Sequence, residues 1–518
     1  MERSSREERT RRLISQGLDP GLVGVPEDEV DEVRECVPQK KKKGRKEYIP
    51  CPGKVILNRN GAILSFFEQL YDPISKKSQF AHIHNELVEF VEAVTDPFDE
   101  TQIYVPLEND LLIKGFVNLA SYVKDYPSDL ELLEEIKRFL HRYYDTSPAN
   151  RDVMATYVML TYICDKLPVM PLINFRGSRD TGKTRGATVL MKVCYRGMRA
   201  SGAASFASIF REAERWRGTL LINEGDMGKS DETNELIKFL NERYERGGGV
   251  WRSTPKTFET EVFNAFGPTI ITTRAEIADD ALESRCFLIL SERTDRVDIQ
   301  SNLPPSFEEE AAELRAMLMT FRFKWYPLFE NDYNLNFKGI STRLNQILQP
   351  MASLAKLIDP IFYHKIQSIA ETFQQKQIDA TSNSEDGLIV RAYFRLEQEN
   401  AEVAEYNKCR EFDEHRERKP INATTISNMI KELGGELAAI RVGKRATALK
   451  FSQKPVKING RSYREYFIST AKHRQQLIRM YLPLEERPME ERGGQMTIEA
   501  PPSYFSTEGT DASTVSKE

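Results

Sequence analysis

A glycine-rich loop with one lysine and one threonine is the part of this sequence best suited to chemistry. Residues 171–184 read PLINFRGSRDTGKT and contain the spacing G-x-x-x-x-G-K-[ST]. Glycines let backbone N–H groups wrap closely around a triphosphate, while the lysine reaches the β- and γ-phosphates and the threonine hydroxyl binds Mg²⁺. We therefore predict that ATP and Mg²⁺ bind at Gly177, Ser178, Arg179, Asp180, Thr181, Gly182, Lys183 and Thr184.

The elements around this loop decide its role, because GKT also occurs by chance in ordinary loops. We predict an apolar strand before Gly177, and a helix that begins at Lys183 and adds the positive end of its dipole. Two more apolar strands, GTLLIN at 218–223 and PTIITT at 268–273, alternate with helical segments. This alternation predicts an α/β fold with a parallel sheet and a ligand at the carboxyl ends of its strands.

Acidic residues directly after the strand GTLLIN would complete a hydrolytic site. Hydrolysis of a nucleotide needs an acid near the metal and a carboxylate that orients water. We predict Glu224 as the catalytic carboxylate and Asp226 as a supporting acid, with Asn223 standing where an Asp is expected. The predicted metal residues are therefore Thr184, Asn223 and Asp226, although an uncharged amide binds Mg²⁺ more weakly. An acidic turn after a buried strand is the structural alternative.

Polar residues at the end of the strand PTIITT add a further candidate. Thr272 can lie between the catalytic acid and the γ-phosphate.

Four motifs taken in order, GxxxxGKT, LLINEGD, TIITTR and ALESRC, resemble those of an AAA+ ATPase. The resemblance is to the replicative-helicase-like P-loop ATPases of prokaryotic mobile elements and viruses, and it covers roughly residues 100–360. It implies a ring, usually a hexamer, that hydrolyses ATP at subunit interfaces and moves along DNA or loads onto it. It also implies that Arg285 acts on a neighbour's γ-phosphate, with Arg293 a second choice, and that Arg343 acts within its own subunit. For each arginine the alternative is a surface residue without a nucleotide role.

The resemblance and the local patterns together divide the chain. They predict a disordered arm at 1–47, a β-rich N-terminal domain at 48–119, an AAA+ core at 120–300, a helical lid at 301–378, a winged-helix domain at 385–486 and a disordered tail at 487–518.

Two segments offer contacts for DNA. Residues 247–262 predict a hairpin with Trp251, Arg252 and Lys256 near its tip, suited to single strands in a ring's pore, unless Trp251 is buried against the core. Further on, a helix at 424–433 and two strands joined at 442–445 predict a winged helix for duplex DNA, although winged helices also dock proteins. Its candidate contacts are Asn428, Lys431, Arg441, Lys444 and Arg445.

Composition limits the class of protein. The 518 residues are 40% apolar and carry a net charge of −5, so any nucleic-acid surface must be local. The N-terminus lacks the apolar stretch of a secretory signal, the six cysteines form no C-x-x-C pair, and the run at 153–175 is interrupted by charges. We therefore expect a cytoplasmic protein without a membrane span.

Two functions fit this sequence, and a third fits less well. The first is an ATP-driven DNA helicase or translocase. The second is a loader or remodeller that binds DNA and assembles with ATP but unwinds little. A transcription activator that acts on a sigma factor would carry a GAFTGA loop, which is absent from the sequence.

Overall fold

The structure is a computed structural model, and it describes residues 46–84, 87–200, 204–223, 231–253, 260–408, 410 and 415–487. Glu224, Asp226 and Lys256, three of the predicted site residues, lie outside these ranges. The chain divides into two compact units, residues 1–331 and 332–518. This division falls within the predicted helical lid. The predicted domain boundaries stay predictions.

The described residues of the first unit form strands and helices, which we number along the chain. The strands are β1 (Glu47–Cys51), β2 (Gly53–Leu57), β3 (Ile63–Asp72), β4 (Lys77–His84), β5 (Leu87–Val91), β6 (Val94–Thr95), β7 (Gln102–Pro106), β8 (Val117–Asn118), β9 (Leu172–Arg176), β10 (Gly197–Ala200), β11 (Leu220–Ile222), β12 (Gly249–Ser253), β13 (Thr260–Asn264), β14 (Thr269–Thr273) and β15 (Cys286–Leu290). The helices are α1 (Asp110–Ile113), α2 (Asp129–Tyr143), α3 (Pro148–Thr161), α4 (Lys183–Val193), α5 (Phe206–Trp216), α6 (Asp231–Glu242), α7 (Asp280–Glu283) and α8 (Pro305–Leu328).

A six-stranded sheet forms the centre of the first unit. Its order is β15-β9-β14-β11-β10-β8, and all neighbours are parallel except β8, which pairs antiparallel with β10. The strand before the glycine-rich loop, β9, has β14 on one side and β15 on the other. Its first four residues are buried, as expected of an apolar strand covered on both faces. The parallel sheet predicted from the sequence is confirmed.

A buried arginine contacts the starts of two strands of the central sheet, β11 and β14. Arg243 is 1% exposed and donates to the carbonyl oxygens of Gly218 at 3.2 Å, Ala265 at 2.9 Å and Pro268 at 2.7 Å. Burial lowers the pKa of Arg243 to about 10, so the guanidinium still carries its charge at neutral pH. These bonds hold β11 and β14 at a common level, so that both strands end at the same edge of the sheet.

Two smaller sheets precede the central one. One has the order β2-β3-β4-β5 and is antiparallel, and the other has the order β1-β7-β6. Aromatic residues pack on both faces of the long strand β3, with Phe66 against Phe323 of α8 and Phe67 against Phe80. The β-rich pattern expected near the N-terminus is therefore present in these strands.

A buried ion-pair network ties β3 to the central sheet and to α8. The Glu68 carboxylate is 1% exposed and accepts from Arg196 Nη2 at 2.6 Å, Arg322 Nε at 2.7 Å and the Tyr195 hydroxyl at 2.9 Å. Arg322 also donates to Asp165 at 2.8 and 2.9 Å. Because each buried charge has several partners, the desolvation cost of the cluster is offset by direct interactions.

The second unit is mainly helical in the residues that the structure describes. Its elements are α9 (Thr342–Ile358), α10 (Pro360–Ser382), α11 (Glu385–Lys408), α12 (Ala423–Glu432), α13 (Ala439–Ala448), β16 (Ser452–Ile458), β17 (Arg461–Phe467) and α14 (Ala471–Tyr481). Helices α11 to α14 and strand β17 share one apolar core. Only two residues separate α10 from α11, because α10 extends to Ser382 and α11 begins at Glu385.

The expected pair of strands joined at 442–445 is also wrong. Residues 439–448 form α13, because Val442, Ala446 and Leu449 recur at helical spacing and are buried together. The hairpin lies further on, where β16 and β17 pair antiparallel and Asn459 and Gly460, both at positive φ, form the turn.

Among the described residues, we found no helix with the length and apolarity that a membrane crossing requires.

Candidate nucleotide-binding site

The glycine-rich loop has the backbone conformation of a phosphate-binding loop. Asp180 and Gly182 have positive φ values of 61° and 80°, and α4 begins directly afterwards at Lys183. A Cβ atom on Gly177 would lie 2.4 Å from the Ser291 carbonyl oxygen, so no side chain fits there. Left-handed residues between right-handed ones turn successive N–H groups toward one side, and that concave surface binds anions.

Tyr144 packs against the helix that follows the loop. A Cβ atom on Gly186 would lie 2.7 Å from both the Tyr144 and the Phe175 ring, so α4 packs closely against these aromatic side chains. The Tyr144 hydroxyl is hydrogen-bonded to Ser291 Oγ at 2.8 Å, and Ser291 N donates to the Arg176 carbonyl at 2.7 Å. Burial raises the pKa of Tyr144 to about 12, so it remains a neutral hydroxyl. These contacts pack the start of α4 against β9 and the residue that follows β15.

The polar side chains of the loop are arranged around one carbonyl. Lys183 Nζ donates to the Ser178 carbonyl oxygen, and Thr181 Oγ1 donates to the same oxygen at 2.9 Å. Lys183 is half-buried, and Thr184 beside it is exposed. A phosphate group at the loop offers Lys183 a charged acceptor in place of a neutral one, which roughly doubles the strength of its hydrogen bond.

Strand register places two predicted residues in one row at the carboxyl edge of the sheet. Thr272 pairs with Phe175 of β9, and Ile271 pairs with Ile222 of β11, so Asn223 follows as the next residue beside Thr272. Directly paired residues of parallel strands point to the same face. Thr273 points to the opposite face, where its hydroxyl donates to Asn174 at 3.0 Å. Of the two threonines, Thr272 therefore shares the face on which α4 packs.

The amide of Asn223 is engaged by an arginine. With the amide placed to satisfy both groups, Asn223 Oδ1 accepts from Arg199 Nε at 3.0 Å and Nη2 at 2.8 Å. The predicted magnesium ligands therefore fit in part. Thr184 is exposed at the start of α4, whereas the side-chain oxygen of Asn223 is occupied by Arg199, and Asp226 lies outside the described residues.

The segment that contains Arg285 is tied to the loop strand. Arg176, the last residue of β9, donates to both carboxylate oxygens of Glu283 at 2.5 Å. Arg285 Nη1 donates to the Ala281 carbonyl at 2.7 Å, and its guanidinium lies 5.4 Å from the centre of the Tyr244 ring. Its Nε is buried with no hydrogen-bond partner among the described residues. Within one subunit, Arg285 therefore contacts its own short helix α7.

The β12–β13 hairpin places its two described candidates on opposite faces. Trp251 is 71% exposed and pairs across the strands with Val262, which is 58% exposed. The structural alternative, in which Trp251 is buried, is therefore wrong. Arg252 points to the other face, where it donates to Glu235 at 3.1 Å and stacks over the Phe206 ring at 5.4 Å.

The remaining candidates lie in the second unit. Arg343, in the first turn of α9, donates to Gln346 at 3.1 Å. Asn428, Lys431 and Lys444 are exposed, while Arg445 binds both carboxylate oxygens of Asp386 at 2.7 and 2.8 Å. Arg441 pairs in the same way with Glu385. Roles for these residues at a nucleotide or DNA stay predictions.

Sequence reasoning missed several residues of the site. Tyr144 and Ser291 are far from the loop along the chain. Ser291 reaches it because β15 pairs with β9, and Tyr144 because the end of α2 packs against α4. Arg199 reaches Asn223 because β10 pairs with β11. The Arg176–Glu283 ion pair could have been considered from the sequence, since Arg176 ends the strand before the loop and Glu283 lies two residues before Arg285.

Comparison with known proteins gives structural matches only. No protein-family model matches the chain, and no curated protein matches it in sequence. Three matching solved structures are the NrS-1 C-terminal region (12% identity, TM-score 0.37, 78% of this chain and 96% of that chain), the SCCmec type IV Cch active helicase (12%, 0.33, 89% and 86%) and a full-length MCM homologue from Methanopyrus kandleri (8%, 0.31, 57% and 67%). At these identities and TM-scores, the function of this chain has to be inferred from its own residues.

Proposed function

We propose that this chain is an AAA+ ATPase that works as a ring-shaped, hexameric DNA helicase or translocase in the replication of a mobile element or virus. The observation that carries the proposal is the loop at 177–184. It lies between a buried parallel strand and a helix N-terminus, has left-handed residues at Asp180 and Gly182, and leaves no space over Gly177. A loop with these features binds the phosphates of a nucleotide.

The chemistry of the proposed reaction is phosphoryl transfer from ATP to water. Backbone N–H groups of the loop and Lys183 hold the phosphates, and Mg²⁺ bound with ATP at Thr184 would neutralise their charge. Thr272 lies at the sheet edge from which a polar side chain can contact the γ-phosphate. Glu224 is the proposed residue that orients water, and Arg285 the residue that a neighbouring subunit would supply.

The proposed contact with single-stranded DNA is the β12–β13 hairpin. Trp251 presents an exposed aromatic face, and Arg252 and the aromatic residues of α5 anchor the other side of the hairpin. An exposed tryptophan on an anchored hairpin can stack on a base without reading its identity. A ring with six such hairpins would contact the strand that passes through its centre.

The proposed contact with duplex DNA is a winged helix in the second unit. Helices α11, α12 and α13 are followed by the β16–β17 hairpin, which is the element order of that fold. We propose α13 as the helix that enters the groove, with Lys444 exposed on it, and the turn at 459–460 as the wing. Lys457 and Arg461 flank this turn and suit phosphate contacts. A protein-docking role is the alternative for this domain.

Displacement of a labelled strand from forked DNA, with Mg²⁺ and ATP, tests the proposal. We expect wild type to displace the strand and Lys183→Ala to lose the activity. Lys192→Ala is the matched control, because Lys192 lies in the last turn of the same helix and pairs with Glu308. Displacement that is equal in wild type and Lys183→Ala would contradict the proposal.

One observation favours the second candidate, a loader or remodeller that binds ATP and DNA but unwinds little. The residue expected to be an acid near the metal is Asn223, and its amide oxygen is occupied by Arg199. A site short of one acidic ligand hydrolyses ATP slowly while it still binds the nucleotide. Tight binding of ATP and forked DNA without strand displacement would favour this function.

A further inference from the structure

An arginine lies beside the uncharged residue at the end of β11. Arg199 of β10 pairs in register with Leu221, and its side chain reaches two residues further along the neighbouring strand to Asn223. Residues two apart on a strand point to the same face, so both side chains lie on the face that Thr272 shares. Asn223 is separated from the loop strand by one strand, β14, which corresponds to about 10 Å across the sheet.

The geometry of this contact decides which atoms of Asn223 remain for a ligand. Nε and Nη2 of Arg199 are both donors, which assigns the facing amide atom as Oδ1. In that orientation Oδ1 accepts from them at 3.0 and 2.8 Å, which uses both of its lone pairs. The Asn223 amide nitrogen keeps its two hydrogens. This residue therefore presents hydrogen-bond donors, which suit an anionic oxygen, rather than an acceptor, which would suit Mg²⁺.

We propose that Arg199 is a positioning residue of the nucleotide site, which holds the Asn223 amide so that its nitrogen donates toward a phosphate oxygen and its oxygen does not bind the metal. The proposal rests on the proposed ATPase function and names a specific feature of that site. Together, Arg199 and Asn223 add one positive charge at the carboxyl ends of the strands, where an acid was expected. Nucleotide affinity should therefore depend less on Mg²⁺ than it would with a free carboxylate at this position.

Because of this contact, replacement of Asn223 by aspartate alone would not create a free acidic ligand for the metal. A carboxylate at position 223 would meet the Arg199 guanidinium at hydrogen-bond distance and form a charge-assisted pair with it. The metal would have to compete with that pair. A carboxylate becomes available to Mg²⁺ only when Arg199 is removed as well, so the two positions should show strong coupling.

A double-mutant cycle on nucleotide binding tests the proposal without any measurement of turnover. The dissociation constant of a fluorescent ATP analogue is measured in excess EDTA and at a series of Mg²⁺ concentrations. The four proteins are wild type, Arg199→Gln, Asn223→Asp and the double variant. The quantity compared is the ratio of the dissociation constant in EDTA to that at saturating Mg²⁺.

The expected result is non-additive. Asn223→Asp alone should change the magnesium ratio by less than about threefold, whereas the double variant should raise it by about tenfold, as for side chains in direct contact. Arg199→Gln alone should weaken binding in EDTA by about three- to tenfold, through loss of a positive charge and of the hydrogen bonds that fix the amide. Arg215→Gln is the matched control, because Arg215 is an exposed arginine of the same unit that pairs with Glu212, and it should leave the ratio unchanged.

Additive effects would overturn the proposal. If Asn223→Asp by itself raises the magnesium ratio as far as the double variant does, Arg199 does not hold the side chain at position 223. Thermal unfolding shows whether each variant is folded, and Arg199→Met replaces Arg199→Gln if the glutamine variant does not fold. A failure of the proposed function is distinguishable, because wild type would then bind the analogue no better than Lys183→Ala does.

Discussion

At the scale of single residues, the loop depends on the absence of side chains as much as on their presence. Gly177 lies where the strand β9 ends, and its backbone N–H donates to the Thr273 carbonyl at 3.3 Å. The Ser291 carbonyl and the Thr181 hydroxyl occupy the space in which a Cβ atom would lie. The Ser291 carbonyl belongs to the backbone, so its contact with an added Cβ atom cannot be relieved by rotation of a side chain.

Gly177→Ala should therefore destabilise the first unit by about 1–3 kcal/mol, because the methyl group overpacks a contact of 2.4 Å. Nucleotide affinity should fall with it. Urea unfolding measures the first effect and binding of an ATP analogue the second. Gly443→Ala is the control, since its added Cβ atom would meet only the Tyr466 hydroxyl, at 3.6 Å. A Gly177→Ala protein with wild-type stability and affinity would contradict the close packing at this position.

At the scale of elements, the charged network on β3 joins the small antiparallel sheet to the central one. Glu68 accepts hydrogen bonds from two arginines and a tyrosine, and all four side chains are buried. Removal of one partner from a buried ion pair leaves the others desolvated and without compensation.

Glu68→Gln should lower the free energy of unfolding by about 3–5 kcal/mol, because both Arg196 and Arg322 would keep a buried charge without its carboxylate. The measurement is urea unfolding of the whole chain. Glu135→Gln breaks an exposed pair with Arg138 and should cost less than about 1 kcal/mol. Equal costs for the two variants would show that the network contributes no more than a surface ion pair.

The β12–β13 hairpin is the second element for which a substitution has a specific expected effect. Trp251→Ala should weaken binding of single-stranded DNA by about 1–3 kcal/mol, since it removes one base-stacking surface per subunit. Fluorescence anisotropy of a labelled oligonucleotide measures this change. Tyr333→Ala removes an aromatic side chain that is 69% exposed on the second unit, and it should have no effect. Unchanged affinity in Trp251→Ala would remove the hairpin from the proposed DNA path.

Much of the central sheet could be predicted from the sequence, because apolar runs that end in polar residues mark buried parallel strands. The strands β9, β11 and β14 all lie within predicted runs. The helix α13 was missed because Gly443, flanked by Val442 and Lys444, resembles a turn, whereas the burial of Val442 and Ala446 stabilises a helix. The Arg199–Asn223 contact could not be predicted, since it depends on the pairing of β10 with β11 rather than on any local pattern.

At the scale of the whole molecule, the proposed function requires more than one copy of the chain. Arg285 contacts α7 and Tyr244 within its own subunit, and its role at ATP would be exercised on a neighbour. The Arg176–Glu283 pair connects the short helix that precedes Arg285 to the end of the loop strand. In the proposed ring, this pair would link the phosphate-binding loop of one site to the arginine that acts on the next site.

Mixing two inactive variants tests this shared site. Arg285→Ala and Glu224→Gln affect opposite halves of the proposed interface, so random assembly in equal amounts should leave roughly one quarter of the sites (one half times one half) with both halves intact. ATPase activity should therefore reappear on mixing. Glu224→Gln mixed with Lys183→Ala is the control, because both changes lie in the same half and no site is restored. Failure of the first mixture to regain activity would contradict a trans role for Arg285.

The central claim is that the loop at 177–184 binds ATP for hydrolysis coupled to DNA. The most direct measurement is the rate of phosphate release from ATP by the purified chain, with and without single-stranded DNA, for wild type and Lys183→Ala. We predict that DNA stimulates the wild-type rate and that Lys183→Ala lowers it by at least about 10- to 100-fold, as expected when a charged hydrogen bond to the phosphates is lost. Equal rates for the two proteins, or a wild-type rate that DNA leaves unchanged, would contradict the claim.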